Sequence, residues 1–491
     1  MKCSRREFFS GASAFALGAR RLFAVPPGWK PSKKPILVLG VISDTHIRTM
    51  PTSGRIDREW SDKYLVKALT HFRDENVDAV VHCGDFAHLG QVEEMQAHAD
   101  AWNRAFPNNR APAGHEVVKL FVSGNHELRG STYGGKGMFV RRLYPDPEER
   151  ARHVLASDMA GNWQRIWGEK YEPVWHKVVK EFHFFGMQWG EDGAAMADLV
   201  DGTTGCEPPR PFFVLRHDYP HSTLLARMKR HPNAVGFFGH LHYSIANWRK
   251  VFLAGGMPWI QVPSLNAHGY PGLREEDPWL TKLKIEGMEA AGSVRARQGM
   301  VIRLYDDMMV VERREFGEGG SLGADWVMPF GKYDPHPFSL EEQKKKIGEP
   351  QFREDAKLKV FLDRITKIAN TTNHNPLSPV QEDSATLRLC VKIPLADGDP
   401  DSRVYAYDVV VVGDGQELHK GVYTAGCNMG VGHEPNDGVT ELSIPKSELP
   451  PGDVLTITAH PITSLSTHGK PLVAKWHNPI QPSRRKTSLS T

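Results

Sequence analysis

The chain reads as an α/β domain followed by an all-β sandwich, and three observations predict that class. From Pro35, apolar runs of strand length alternate with stretches of helical spacing. Beyond residue 350 the helical spacing stops, and β-type runs separated by turn signals take over. Between the two patterns, 317–350 is rich in Gly and Pro and then in charge, including Lys344-Lys345-Lys346, which reads as a connection with a solvated surface. A length of 491 residues holds two or three domains with sizeable cores. A composition of 40% hydrophobic and 24% charged residues is that of a globular chain. With 61 basic against 58 acidic side chains there is no large basic field of the kind nucleic acid requires. Five cysteines in this length exclude a disulfide-stapled fold.

Taken in order, the first element lies outside the fold. Arg5 and Arg6, the Ala/Gly-softened apolar run Phe8 to Ala19 and the Pro26-Pro27 pair have the layout of an export signal, too short to span a bilayer. Ser4-Arg5-Arg6-Glu7-Phe8-Phe9 resembles the twin-arginine signal, which implies the translocation machinery of that pathway as a partner and a periplasmic or extracellular destination. Cleavage near Ala24 leaves 56 basic against 57 acidic residues, a net charge of −1. Cys3 leaves with the signal, Cys83 sits in an apolar strand as a small core residue, and whether Cys390 and Cys427 pair is left open. No later stretch reaches the roughly 18 apolar residues of a transmembrane helix.

The α/β domain is expected over 35–316. Its strands are Ile36 to Ile42, Ala79 to Cys83, Val117 to Val122, Phe212 to Leu215 and Ala234 to Phe238, with helices over Trp60 to Asp74, Glu93 to Phe106 and Leu224 to Lys229. Met300 to Leu304 and Met308 to Glu312 form a closing hairpin around Asp306-Asp307. Trp163 and Trp167, four residues apart, share a helix face and read as core rather than as a cap over a site. After the 317–350 linker, β-type runs at Lys357 to Leu362, Ala385 to Ile393, Arg403 to Val412 and Val454 to Ala459 place a β-sandwich over 351–480, with 481–491 a tail that contains Arg484-Arg485-Lys486.

Five short pieces carry the chemistry, each behind the carboxyl end of a strand: Asp44-Thr45-His46, Gly84-Asp85, Gly124-Asn125-His126-Glu127, His217, and Gly239-His240-Leu241-His242. In an open α/β sheet those ends converge on one crevice. Each piece alone is weak: with 23 His in 491 residues, about one His-x-His triplet is expected by chance. Together they supply carboxylate, amide and imidazole donors without thiolate, a set suited to Zn, Fe, Mn or a mixture. Seven donors exceed what one ion holds, whereas two ions bridged by one carboxylate would use them all.

This ordered set resembles the calcineurin-like metallophosphoesterases over roughly Ile36 to Phe316, and the fold it implies is mixed β-sheets flanked by helices. The resemblance implies that Asp44, His46 and His242 bind one metal ion, that Asp85 bridges two, that Asn125, His217 and His240 bind the second, and that His126 touches the phosphoryl group. His221 is the alternative to His217. Implied too is metal-dependent hydrolysis of a phosphomonoester or phosphodiester, by direct attack of water activated between the two ions and without a covalent intermediate. Three residues after Asp85, where purple acid phosphatases have Tyr and protein phosphatases Arg, this chain has His88, as in the nuclease branch. The segment around Trp189-Gly190-Glu191-Asp192 leaves room only for a shortened helix before His217. The C-terminal region resembles fibronectin type III-like domains through Arg403-Val404-Tyr405-Ala406-Tyr407-Asp408 and Leu449-Pro450-Pro451-Gly452-Asp453. Two rivals stand beside the phosphoesterase reading. One is a nuclease of the same fold, which the near-neutral charge and lack of a basic-aromatic stripe disfavour. The other is a non-catalytic protein that binds a surface through its sandwich, which the complete donor set disfavours.

Overall fold

The computed structural model describes residues 34–49, 58–132, 134–206, 210–245, 251–266, 285–286, 297–317, 319–323, 325–330, 345, 348–365, 386–397, 404–424, 438–463 and 467–479. The expected export signal, Cys427 and the tail lie outside them. None of the described helices is long and apolar enough to cross a membrane.

The N-terminal elements are β1 (Leu37–Ile42), α1 (Arg58–Asp74), β2 (Ala79–His82), α2 (Val92–Ala105), β3 (Val118–Phe121), α3 (Asn125–Arg129), α4 (Gly134–Leu143), α5 (Pro147–His153) and α6 (Met159–Trp167). They continue with β4 (Val174–Val179), β5 (Phe182–Met187), α7 (Gly193–Asp201), β6 (Phe212–Arg216), α8 (Ser222–Met228), β7 (Ala234–Phe238), β8 (Val251–Ala254), β9 (Met257–Gln261), β10 (Ile285–Glu286), β11 (Gln298–Leu304), β12 (Met308–Glu315) and β13 (Trp326–Pro329). These strands, β10 apart, build two six-stranded sheets, in the orders β13-β12-β11-β1-β2-β3 and β4-β5-β6-β7-β9-β8. Both are mixed: β1, β2 and β3 run parallel, whereas β11 is antiparallel to β1. In the second sheet β5, β6 and β7 run parallel with β4 antiparallel at one edge.

The continuous apolar character of the central strands follows from burial on both faces. Leu39, Val41, Val81, Leu120, Phe184, Phe213, Phe237 and Ile302 meet between the two sheets. On the outer face of the first sheet, Leu65, Leu69 and Phe72 of α1, Met95 and Trp102 of α2, and Trp163 and Trp167 of α6 form a second core. Met196 and Val200 of α7 and Leu224 and Met228 of α8 cover the second sheet. The tryptophan pair is thus packing, at about 1.5–3 kcal/mol for each large side chain buried.

One expectation needs correction. The first sheet continues past residue 317: a Gly-rich turn returns the chain to the sheet edge, where Trp326 is buried in the inter-sheet core and β13 pairs with β12. The connection therefore starts after Pro329, not at 317. The hairpin of β4 and β5 was also not expected, although the short helix α7 after Asp192 agrees with the limited room there.

The C-terminal strands are β14 (Gln351–Phe352), β15 (Lys359–Ile365), β16 (Thr386–Ile393), β17 (Ala396–Asp397), β18 (Val404–Gly413), β19 (Gln416–Tyr423), β20 (Thr440–Pro445), β21 (Val454–Thr463) and β22 (Leu472–His477). A three-stranded sheet, β15-β16-β20, and a five-stranded sheet, β10-β19-β18-β21-β22, share one core of Leu389, Val391, Tyr407, Val409, Leu442, Ile444, Ile457 and other apolar side chains. That is sandwich packing. Buried Tyr407 has its hydroxyl satisfied: it donates to the Pro394 carbonyl at 3.0 Å and accepts from the Ala396 amide at 3.1 Å.

Candidate metal centre

The loops behind β1, β2 and β7 turn sharply enough to put five non-glycine residues into the left-handed region: Asp44 (φ 51°), His46 (45°), Asp85 (59°), His240 (70°) and His242 (53°). Each such residue costs on the order of 1–3 kcal/mol, and such strain gathers where a side chain must be aimed. The loops brace one another. The Asp44 amide donates to the Gly84 carbonyl at 2.9 Å and the His46 amide to the Asp85 carbonyl at 3.0 Å. Ser264 Oγ donates to the Asp44 carbonyl at 3.0 Å. Gly84 (φ 92°) and Gly124 are required here: a methyl on the first would come within 2.6 Å of His217 Nδ1, and one on the second would collide with the Asp85 carboxylate.

The structure brings together all eight residues singled out by the sequence. His242 Nε2 stands 3.0 Å from Asp44 Oδ1 and 3.0 Å from His46 Nε2, and His46 Nε2 lies 3.6 Å from Asp85 Oδ2. On the other side of Asp85, His217 Nε2 is 3.2 Å from Asp85 Oδ2, 2.8 Å from Asn125 Oδ1 and 3.1 Å from His240 Nδ1. Asn125 Oδ1 and His240 Nδ1 are 3.0 Å apart. Donors around a cation with bonds of about 2.0–2.2 Å stand about 3.0–3.4 Å from one another. The observed spacings, 2.8–3.6 Å, lie within a few tenths of an ångström of that range, and Asp85 belongs to two donor groups, Asp44/His46/Asp85/His242 and Asp85/His217/His240. These residues fit two metal ions. His221, by contrast, is exposed and pairs with Asp218 at 3.3 Å.

The electrostatics call for positive charge. Burial pushes the Asp44 carboxyl up, but His242 and His217 hold it well below the usual carboxylate range. Asp85 is likewise lowered, burial being outweighed by His217 and His126. Burial opposes the charged form of His217, yet Asp85 and Asp44 raise it to about 10. His240 is lowered, by burial and by His217. Two buried carboxylates thus demand cationic partners, which is the environment a metal site supplies.

Neighbouring groups fix the rings. His217 Nδ1 donates to the Cys83 carbonyl at 2.7 Å, turning Nε2 towards Asp85 and Asn125. His126 Nδ1 donates to the His88 carbonyl at 2.6 Å, and its backbone N–H donates to Asp85 Oδ1 at 2.8 Å. The His126 ring is edge-on to His46, with centroids 4.5 Å apart, and the His88 ring is 5.5 Å from His126.

Sequence reasoning gave no role to Glu127, although it stands in the Gly124-Asn125-His126-Glu127 piece. Its buried carboxylate accepts from the amides of Asp85 (3.0 Å), Ala87 (2.9 Å) and Gly124 (2.7 Å), tying two donor loops together. Burial and the neighbouring Asp85 push its carboxyl up to about 7. Ser43 Oγ, which donates to Asp44 Oδ2 at 2.6 Å, was also missed. For both, the available signal was adjacency to a candidate donor.

The family model described as calcineurin-like phosphoesterase matches residues 37–244. No curated protein sequence matches the chain. Solved structures similar to it include a dimetal phosphatase from Danio rerio, 13% identical with a TM-score of 0.37, covering 61% of this chain and 100% of that one. A purple acid phosphatase from yellow lupin is 13% identical with a TM-score of 0.39, covering 61% of this chain and 55% of that one. A Vps29 single mutant from Entamoeba histolytica is 12% identical with a TM-score of 0.27, covering 60% of this chain and 100% of that one. The residues that the family model matches, 37–244, carry all eight residues of the cluster.

Proposed function

We propose that this protein is an exported, dinuclear-metal phosphoesterase that hydrolyses a phosphomonoester or phosphodiester by direct attack of water. One observation carries the reading: Asp85 is shared by two donor groups that otherwise have no member in common. Asp44, His46 and His242 would hold one ion, Asn125, His217 and His240 the other, with Asp85 between them. When bound, two such ions, of Zn, Fe, Mn or a mixture, lower the pKa of water between them and neutralise charge on the phosphoryl oxygens.

The chain's own residues do the rest. Asp44 and Asp85 supply the negative charge that holds the cations, and Glu127 keeps the Asp85 and Gly124 loops at a fixed separation through three accepted amide bonds. His126 commits Nδ1–H to the His88 carbonyl, so Nε2 is the nitrogen that serves the phosphoryl or leaving oxygen. To donate there the ring carries protons on both nitrogens. The sandwich domain, fibronectin type III-like in its motifs, serves attachment or positioning. The twin-arginine-type segment takes the folded, metal-loaded protein out of the cytoplasm.

The test combines metal analysis of purified protein with a panel of p-nitrophenyl phosphate, bis-p-nitrophenyl phosphate, phospholipid and DNA. Turnover of at least one ester that is lost on chelation and restored by metal is expected. Metal-loaded protein inert towards every member would overturn the reading.

A further inference from the structure

A buried imidazole outside the donor set bonds to both of the loops that carry Asp44, His46 and Asp85. On β2, Val80 packs in the outer core and Val81 between the two sheets, so His82, the last residue of the strand, belongs to the outer face. There it is fully buried and stacked on Phe86, with ring centroids 3.8 Å apart and planes 15° from parallel. His98 and Phe121 stand edge-on to it, at 5.0 and 6.1 Å. Burial, and then the neighbouring His98, hold the ring well below the basicity of an ordinary imidazole, so it is neutral. A phenylalanine would fill this space without the cost of burying two polar nitrogens, so the partners of those nitrogens account for the residue.

Those partners also assign the ring's proton. The Gly84 amide donates to Nδ1 at 3.2 Å, which leaves the hydrogen of the neutral ring on Nε2. Nε2 donates to Thr45 Oγ1 at 3.3 Å, and that hydroxyl turns its own hydrogen towards the carbonyls of Phe86 (3.3 Å) and Asp85 (3.4 Å). Thr45 stands between Asp44 and His46, and Gly84 directly precedes Asp85. His82 thus joins the loop behind β1 to the loop behind β2 through two residues that are not themselves donors to a metal. Both loops hold their donors at positive φ, a conformation that persists only where the surroundings over-determine it.

We propose that His82 is a positioning residue of the metal centre: its Nε2-protonated ring fixes the loop of Asp44 and His46 against the loop of Asp85, and so presets the spacing of the carboxylate that serves one ion from the carboxylate that serves both. The proposal rests on the dinuclear reading of the site. Without this bond the donors have to be gathered at the moment a metal binds, and affinity falls.

The experiment titrates zinc into chelator-stripped, full-length protein, well below its melting temperature, as wild type, His82→Phe, His82→Gln, Thr45→Val and the double variant of His82→Phe with Thr45→Val. His82→Phe keeps the stack on Phe86 and loses both hydrogen bonds, and should bind zinc about 10–100-fold more weakly. Thr45→Val should weaken binding in the same direction, and the double variant should lose less than the sum of the two, because both remove one shared bond. His82→Gln, which offers an N–H in place of Nε2–H, should recover part of the affinity. A ring that serves packing alone would lower the melting temperature of the metal-free protein and leave zinc affinity at the wild-type value; that result overturns the proposal, as do strictly additive losses. If His82→Phe does not fold, Thr45→Val, which changes a hydroxyl for a methyl, decides by the same measure. The same titration counts ions: wild type that takes up only one sinks the dinuclear reading, while the ratio of affinities for that ion still decides the role of His82, and wild type that binds none overturns both.

Discussion

Replacing His126 by alanine separates proton chemistry from metal chemistry within one site. The backbone N–H that donates to Asp85 Oδ1 at 2.8 Å survives the substitution, so the shared carboxylate keeps its position. What goes is the imidazole and its 2.6 Å bond to the His88 carbonyl. The ring is partly exposed and water can take over that carbonyl, so the stability cost should be about 0.5–1.5 kcal/mol. The kinetic cost is larger: a positioned acid contributes roughly 10²–10⁴ in rate, or about 2.7–5.4 kcal/mol of barrier. It should also depend on the leaving group, because p-nitrophenolate departs unaided whereas an alkoxide must be protonated. The assay is steady-state hydrolysis of an alkyl phosphate and of p-nitrophenyl phosphate by wild type and His126→Ala, with metal content measured on the same samples. Full metal occupancy and a larger fall for the alkyl ester are expected. An equal fall for both esters would refute the general-acid role and leave stabilisation of phosphoryl charge. Loss of metal would make His126 a ligand.

Three further outcomes follow. Gly124→Ala should disrupt metal binding and hydrolysis together, since its methyl would collide with the Asp85 carboxylate and come within 2.5 Å of the Asp85 amide; a variant with wild-type metal content and rate would contradict the packing. Glu94 is buried, that burial pushes its carboxyl up to about 8 from 4.5, and the Leu89 and Gln91 amides both donate to its Oε2. The folded chain therefore keeps a proton that the unfolded chain releases, and the stability present below about pH 4.5 is lost as pH rises through about 8. Glu94→Gln keeps an acceptor at Oε2 and carries no charge, so in urea unfolding its stability relative to wild type should rise by about 3 kcal/mol between pH 5 and pH 8; parallel pH profiles would contradict this. Finally, Arg5-Arg6 replaced by Lys-Lys should retain folded, active enzyme in the cytoplasm, because the twin-arginine receptor reads guanidinium groups; unchanged activity outside the cytoplasm would exclude that route.

How much of this was legible depended on the kind of signal. Strands buried on both faces announce themselves as apolar runs, so Ala234 to Phe238 was placed to the residue and β1, β2 and β3 to within one or two. The donors were legible because each stands immediately behind such a run. The β4–β5 hairpin was not, because its turn, Lys180-Glu181, adopts positive φ at both positions (45° and 70°) without the Asn-Gly or Asp-Gly pair that marks such turns. The division into two sheets depends on contacts between Phe184, Phe213 and Leu39, far apart in the chain, and periodicity carries no record of them. β13 was hidden by the Gly-rich turn before it, which reads as linker when seen alone. Glu127 was visible as a residue but not as a brace, since the three amides it holds come from two different loops.

The central claim is that one carboxylate, Asp85, is held in common by two ions. The most direct measurement is metal content and hydrolysis rate of Asp85→Asn beside wild type, prepared and loaded identically, with circular dichroism to establish that the fold is retained. An amide cannot give two cations a full negative charge, so the account predicts at least one ion fewer than wild type and nearly complete loss of turnover. A folded variant with wild-type metal content and wild-type rate would contradict it.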